Sequence, residues 1–342
     1  MNNEILYIPP VSLCILTTYK CTSSCENCCF QCSPNRNEKL TISEIKFYIK
    51  ETICSFYSVK LLILSGGESF LLMNELEEIV NFASRLGLKV RIVTNAFWAS
   101  SYKKAFQIVN QLKKVGLSEI NYSTGDDHQK FVPINNILNG IIAAVEQNIN
   151  VVVNVESSDD RNFNSKFLKE HSMLIPYIKI GKLRILNGIW VQFKNKNNKD
   201  TEIPGISRFV MPCYGGYSNL FSTIAIDPDH RMLACCGLIS KYSKYLDLGN
   251  LKTHSIKELY LNQFKDFLKI WIATEGPYEI LNYISQFTSE DYKIYKSMHI
   301  CQVCNKVLNT PRYINILRKE YKKVYSNVMF KYIMKVKETK ID

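Results

Sequence analysis

The chain has 342 residues, 46% of them hydrophobic and 12% aromatic, which excludes a disordered chain and leaves room for a barrel-sized domain with a smaller one beside it. No apolar run is long enough to span a bilayer, and the N-terminus (Met1-Asn-Asn-Glu-Ile-Leu) lacks both a basic stretch and a cleavage site, so a cytoplasmic protein without a membrane partner is expected. The 43 Lys and Arg against 31 Asp and Glu give a net charge of +12, which favours acidic partners without choosing among nucleic acid, an acidic peptide and an acidic electron-transfer protein.

Val11 to Thr18 reads as a first strand. Directly after it comes Cys21-x3-Cys25-x2-Cys28, three thiols placed to converge on one metal centre. Closed structural zinc sites take four ligands, whereas a cubane iron–sulfur cluster held by three thiolates leaves one iron open. Zinc with Cys29 or Cys32 as fourth ligand is the alternative, and spacing alone leaves both open. Thr41-Ile-Ser-Glu44 predicts a capping box that opens a helix to about Ser55. A strand over Val59–Ser65 runs into Gly66-Gly67-Glu68, and a helix over Asn74–Leu86 ends at Gly87.

Leu88–Thr94 is a third strand, Ser101–Val115 a helix closed by Gly116, and Ser118–Ser123 a fourth strand. The alternation continues with a helix over Ile134–Gln147, a strand over Asn150–Glu156, a helix over Asn164–Ser172 and a strand over Lys182–Trp190. Such alternation predicts an α/β fold with a parallel sheet, a partial (β/α)6 barrel of TIM type. Ligands of these folds sit beyond the carboxyl ends of the strands, where the cysteine loop, Gly66-Gly67-Glu68, Thr94-Asn95-Ala96 and Ser123 all fall.

Polar Lys194–Asp200 reads as a linker. Beyond it, Phe221–Ile226, a turn at Asp227-Pro228-Asp229-His230 and Arg231–Cys235 form a hairpin, and helices follow near Ser255–Thr274 and Tyr278–Gln286. At the C-terminus Ile314, Leu317, Tyr321, Val324 and Val328 recur at three- and four-residue steps, one amphipathic helix with a solvated basic face. The expected units are a core over 1–195, a second domain over 206–310 and the basic helix over 311–342.

The 12 cysteines gather at 21–32, 213, 235–236 and 301–304, with Cys14 and Cys54 apart. A disulfide framework suits neither the expected compartment nor the size of the chain, so metal is the better account.

With the three-cysteine loop after the first strand and Gly66-Gly67-Glu68 after the second, the region from about 11 to 190 resembles the radical S-adenosylmethionine (SAM) superfamily. That likeness implies a [4Fe–4S] cluster on Cys21, Cys25 and Cys28 whose open iron takes SAM, a Gly-Gly-Glu stretch against the methionine end with Glu68 accepting from the ammonium, and a 5′-deoxyadenosyl radical as the reactive species. Asn95, Ser123 and Asp126 are the further cofactor-binding residues implied. The family often has Ser-x-Asp for the ribose, whereas here Ser123-Thr124-Gly125 puts the acid, Asp126, one step late. Asn27 stands where many members carry an aromatic, and Ala96 and His230 replace usual turn glycines.

Cys213, Cys235, Cys301 and Cys304 resemble the SPASM/Twitch extension, closer to the Twitch type, which implies an auxiliary [4Fe–4S] cluster; zinc on four thiolates is the alternative that spacing leaves open. Cys21 to Pro34 with its Cys28-Cys29 pair, Asn95-Ala96-Phe97-Trp98, His128-x-x-Phe131-Val132 and Cys235-Cys236 are similar to the maturases of ribosomally made peptides, especially epipeptide epimerases. This implies a precursor peptide as substrate, a flavodoxin- or ferredoxin-type electron donor, and a cysteine thiol that returns hydrogen to Cα. Neighbouring side chains on a strand point to opposite faces, so one of Cys235 and Cys236 is placed to ligate and the other, Cys236, to face substrate. A small buried Cys236 without chemistry is the alternative. These epimerases carry an aspartate soon after the first auxiliary cysteine, but no acid lies between Cys213 and Asp227. The 20 residues before Cys21 are too few for a leader-recognition domain. Crosslink formation is the runner-up reaction, and a zinc protein binding nucleic acid the rival of another class; no basic, aromatic-interleaved stretch supports the latter.

Overall fold

The computed structural model describes residues 6–157, 162–189, 212–213, 219–291 and 298–338. Its strands are β1 (Ser12–Thr18), β2 (Leu61–Gly66), β3 (Lys89–Thr94), β4 (Leu117–Thr124), β5 (Asn150–Ser157), β6 (Leu183–Ile189), β7 (Thr223–Ile226), β8 (Arg231–Leu233) and β9 (Asp247–Asn250). The helices are α1 (Ile42–Ser55), α2 (Asn74–Arg85), α3 (Tyr102–Lys114), α4 (Asp126–Gln129), α5 (Ile134–Glu146), α6 (Lys166–Lys169), α7 (Ile175–Lys179), α8 (Ile256–Asn262), α9 (Phe267–Thr274), α10 (Pro277–Ser285), α11 (Ile300–Asn309), α12 (Pro311–Glu320) and α13 (Lys322–Glu338).

All described strands belong to one open sheet in the order β6-β5-β4-β3-β2-β1-β7-β8-β9. Strands β1 to β6 pair in parallel, and the core passes into the hairpin without a break because β7 pairs in parallel with β1, Ser12 opposite Thr223. Only β8 and β9 run antiparallel to their neighbours. The expected partial α/β barrel with a parallel sheet is thus present, and the hairpin expected in a second domain extends the same sheet. The predicted linker over 194–200 and the boundary between 195 and 206 lie outside the described residues.

Period two decides which side chains enter the core. Leu13 and Ile15 of β1 and Leu62 and Leu64 of β2 pack with the helices, while Cys14 and Ile63 join Ala225 and Leu233 in a small apolar cluster on the sheet's other face. Caps fall where the residues predict them. Thr41 and Glu44 form the capping box of α1, and Gly87 and Gly116 close α2 and α3 at φ +83° and +108°. Ala96 and His230 do adopt φ of +65° and +58°, the left-handed turn positions where glycine is usual. His230 is held there by the Tyr48 hydroxyl against Nδ1 at 2.8 Å.

Two expectations need correction. The helix over 164–172 is instead two short ones, α6 and α7, separated by a turn at His171–Leu174. The terminal basic helix is broken at Tyr321 into α12 and α13, because Tyr321 caps α12 through Leu317 O while a new register starts at Lys322.

Candidate functional site

The carboxyl ends of β1 to β5 converge on the cysteine loop. Gly67 N–H donates to Thr18 O at 2.7 Å and Glu68 N–H to Lys20 O at 3.0 Å, so the end of β2 is stitched to the chain entering the loop. Neither glycine tolerates a side chain. A Cβ on Gly66, which sits at φ +125°, would lie 2.5 Å from Thr18 O, and one on Gly67 would lie 2.6 Å from the Lys20 carbonyl carbon. These obstacles are backbone and have no room to yield.

Asn95 fixes the loop from β3. Its Nδ2 donates to Thr22 Oγ1 at 3.0 Å and Ser23 Oγ at 3.1 Å and reaches Cys21 Sγ at 3.7 Å. Glu68 is fully buried. Its Oε1 accepts from Phe70 N–H and Thr94 Oγ1, and its Oε2 accepts from Asn95 N–H at 2.8 Å. Thr94 in turn accepts from Trp98 Nε1 at 3.0 Å, which explains the Asn95-Ala96-Phe97-Trp98 stretch as the outer part of this bracket. The Glu68 oxygens thus join β2 to β3 inside the protein, and Gly66, Gly67 and Asn95 form the adjoining wall.

Asp126 stands apart from its expected place. Both its oxygens accept backbone amides, of Asn162 at 2.6 Å and Phe163 at 2.9 Å, and it is not on the cavity wall. Ser123 is on that wall, together with Asn154, His128 and Glu156. Glu156 is the acid that sequence reasoning missed. It accepts from the Asp127 N–H and pairs with His128 Nδ1 at 2.8 Å, and Asp127 Oδ2 accepts from Glu26 N–H at 2.8 Å inside the cysteine loop. Gly125, at φ +138°, lets Glu156 in, since a Cβ there would lie 2.5 Å from its carboxyl carbon. The signal for it was the glycine at the place where the Ser-x-Asp pattern calls for the acid.

The three loop thiols differ. Burial pushes Cys21 up to about 11 and also raises Cys25, whereas the hydrogen bond from the Cys32 thiol, helped by the Cys32 amide, draws Cys28 down to about 6 against burial. Cys32 thus serves Cys28 as a donor.

The second set is assembled from three elements. Cys213 N–H donates to Ile272 O of α9 at 3.2 Å, Cys301 and Cys304 lie one turn apart on α11, and Cys235 follows β8. Cys235 and Cys304 are buried and Cys213 and Cys301 partly so, and desolvation raises each thiol, Cys301 to about 12. Backbone N–H groups of Leu220, Gly237 and Leu238 point at the sulfurs of Cys213, Cys235 and Cys301 respectively. Such N–H···S bonds are among the levers by which proteins stabilise iron–sulfur clusters. Cys235 and Cys236 sit just past β8, not on a strand as expected. They still diverge: Cys235 belongs to the main core with Cys304, and Cys236 packs against the small cluster of Cys14, Ile63, Ala225 and Leu233 on the other face.

One cavity of about 860 Å³ takes in both sets, lined by Cys21, Cys25, Cys28 and Cys29 at one end and by Cys213, Cys235, Cys236, Cys301 and Cys304 at the other. The ends are tied together by Tyr242, whose hydroxyl donates to Cys28 O at 3.2 Å while its carbonyl accepts from Asn309 Nδ2 of α11 at 3.2 Å. Among the described residues no three His, Cys, Asp or Glu side chains meet closely enough to hold a single metal ion. The thiols are spread over a concave wall, a donor set that fits a multi-iron cluster met at its corners. Among the described residues no helix is long and apolar enough to cross a membrane.

Residues 15–169 match the family model described as the radical SAM superfamily. Over 321 residues, 91% of this chain and 96% of the relative, the sequence is 23% identical to YydG of Bacillus subtilis (strain 168), which is named as a peptide biosynthesis protein. Among solved structures the chain is similar to anSMEcpe with bound AdoMet, with a TM-score of 0.54 at 12% identity over 97% of this chain and 99% of that one. The same protein with AdoMet and the Cp18Cys peptide gives 0.53 at 12% identity, over 95% and 99%. At these identities the likeness shows the fold. The match over residues 15–169 takes in the three loop cysteines, the close-packed Gly66-Gly67 and the parallel strands that present them, and the radical SAM domain it describes implies a [4Fe–4S] cluster and SAM.

Proposed function

We propose that the protein is a maturase of ribosomally made peptides that converts L-residues of a precursor to D-residues. The observation that carries this reading is the divergence of Cys235 and Cys236 at one cavity. One thiol turns to the second cysteine set, and its neighbour packs on the opposite face within reach of the same space. When bound, the [4Fe–4S] cluster and SAM supply a 5′-deoxyadenosyl radical able to take the hydrogen atom from a peptide Cα.

The chain's own residues then have separable tasks. Cys21, Cys25 and Cys28 hold the cluster, and Gly66, Gly67 and Asn95 form the wall against the methionine end of SAM. Ser123 and Glu156 take the ribose end, the place first expected for Asp126. Cys213, Cys235, Cys301 and Cys304 hold an auxiliary [4Fe–4S] cluster, a use supported by their place on one cavity wall and their N–H···S bonds. Cys236 returns a hydrogen atom to the opposite face of Cα; its S–H bond is weak enough to quench a carbon radical, and the thiyl radical left on Cys236 is restored to the thiol by one electron from the donor protein and one proton from solvent. The relative named for peptide biosynthesis, and the similar fold solved with a peptide bound, support a peptide as substrate. The excess positive charge suits an acidic flavodoxin or ferredoxin as electron donor.

Reaction with the peptide encoded beside the gene, in D2O, is expected to add one deuterium per changed residue and no other mass. With Cys236→Ala, 5′-deoxyadenosine still forms and epimerisation is lost; undiminished epimerisation refutes the role of Cys236. Loss of two hydrogens per event identifies a thioether or carbon–carbon crosslink instead. Anaerobically purified protein is expected to be brown with iron and sulfide, and a colourless protein with stoichiometric zinc refutes the enzyme reading.

A further inference from the structure

The C-terminal helix reaches back to the second cysteine set through one side chain. Lys335 of α13 is half-buried, and its Nζ donates to Ala273 O at 3.0 Å and to Thr274 O at 3.2 Å. These are the last carbonyls of α9, and the carbonyl just before them, Ile272 O, holds the Cys213 amide at 3.2 Å. Three successive carbonyls of one helix end thus seat a ligand-bearing backbone and an ammonium side by side. The position is electrostatically demanding. A helix C-terminus carries partial negative charge, and four thiolates beside it add more. Burial pushes the Cys213 thiol up, while the Leu220 N–H and the Lys335 charge pull it down.

One turn earlier on the same helix, Lys331 pairs with Glu275 at 2.6 Å, a half-exposed contact that pins α13 to the α9 cap without touching Cys213. The two lysines therefore separate the mechanical role of the helix from the electrostatic one.

We infer that Lys335 is a positioning residue for the auxiliary site, its positive charge beside Cys213 favouring the reduced, more negative state of the cluster held by Cys213, Cys235, Cys301 and Cys304. This rests on the proposed auxiliary cluster. Each added electron makes a thiolate-bound cluster more negative, and a nearby cation in a poorly solvated site stabilises that charge. A lysine that only capped α9 would change stability and leave the reduction equilibrium where it was.

The experiment uses the full chain carrying Cys21→Ala, Cys25→Ala and Cys28→Ala, so that the auxiliary site alone is loaded, and follows its reduction by EPR-monitored redox titration. Lys335→Gln and Lys335→Met are each expected to lower the reduced-to-oxidised ratio at a fixed potential about tenfold, which is about 59 mV for a one-electron couple. Lys335→Arg keeps the ratio within about twofold, and so does Lys331→Gln. Two neutral variants are used so that poor folding of one leaves the other decisive. The inference is overturned if the neutral variants titrate with the parent, or if Lys331→Gln moves the ratio as far as they do. Absence of iron and sulfide from the parent triple variant removes the auxiliary cluster itself and the inference with it, an outcome distinct from an unshifted potential.

Discussion

Replacing Gly67 by alanine adds one methyl group at the most crowded point between β2 and the cysteine loop. That methyl carbon would stand 2.6 Å from the Lys20 carbonyl carbon and 3.0 Å from that of Tyr19, where ordinary contact begins beyond 3.4 Å. Relief requires the loop entry to move off the end of β2, which opens the Gly67 N–H to Thr18 O and Glu68 N–H to Lys20 O bonds of 2.7 and 3.0 Å. Each such bond contributes about 0.5–1.5 kcal/mol net. Overpacking against unyielding backbone costs about 1–3 kcal/mol more. The total of about 2–6 kcal/mol is a large share of the roughly 5–15 kcal/mol that holds a domain together. Thermal melting of the metal-free protein, with iron and sulfide per chain after anaerobic reconstitution, measures both consequences. Gly67→Ala is expected to lower Tm by about 3–8 °C and to lose most of the iron on the loop cysteines. Gly87→Ala serves as the comparison: at φ +83° but with no atom within 4 Å of its Cβ, it should cost only about 1–2 kcal/mol and leave iron content unchanged. A Gly67→Ala protein that reconstitutes fully, cleaves SAM at the parental rate and melts at the parental temperature refutes the packing argument.

Three further outcomes are expected. In the metal-free reduced protein, Cys28 should be alkylated by iodoacetamide ahead of Cys21 and Cys25, with a rate that rises around pH 6, and Cys32→Ala should move that rise upward; equal labelling of the three thiols contradicts this. Burial lifts the Glu68 carboxyl from 4.5 to about 7, so its contribution to stability is complete below about pH 4.5 and is lost as pH rises to 7. The metal-free protein should lose about 1.4 kcal/mol per pH unit across that window, and Glu68→Gln should flatten the slope while lowering Tm overall, because an amide cannot accept from both Thr94 and Asn95. Glu156→Gln should weaken SAM binding about tenfold by equilibrium dialysis, a loss of about 1.4 kcal/mol, with iron content kept; unchanged binding removes Glu156 from the ribose end.

What the residues disclose unaided is what depends on near neighbours. The cysteine spacing, the Thr41–Glu44 capping box and the glycine stops at Gly87 and Gly116 are local, and each stands where the chain predicts it. Even Ala96 and His230 could be read as turn positions, because a left-handed backbone is a property of one residue and its family pattern. Glu68 was legible as important, but its partners were not: that its carboxylate accepts from Asn95 N–H is decided by β3 packing, 27 residues away. Where Asp126 and Glu156 lie is decided in a similar way, by the depth at which β4 and β5 end beside each other, Thr124 opposite Val155. Lys335 lay deepest. On its helix it is one of several lysines on an amphipathic pattern, and nothing within a turn distinguishes it from Lys331 or Lys337. Its meaning comes only from the end of α9, where the carbonyls of Ala273 and Thr274 and the amide of Cys213 meet. The periodicity that identifies a solvated face averages over positions, so a single lysine folded inward is invisible to it, and the break between α12 and α13 at Tyr321, which carries no proline or glycine, is invisible as well. That break lets the last helix pack on α9, and the turn of chain that looked like surface brings Lys335 to the helix end that holds the Cys213 amide.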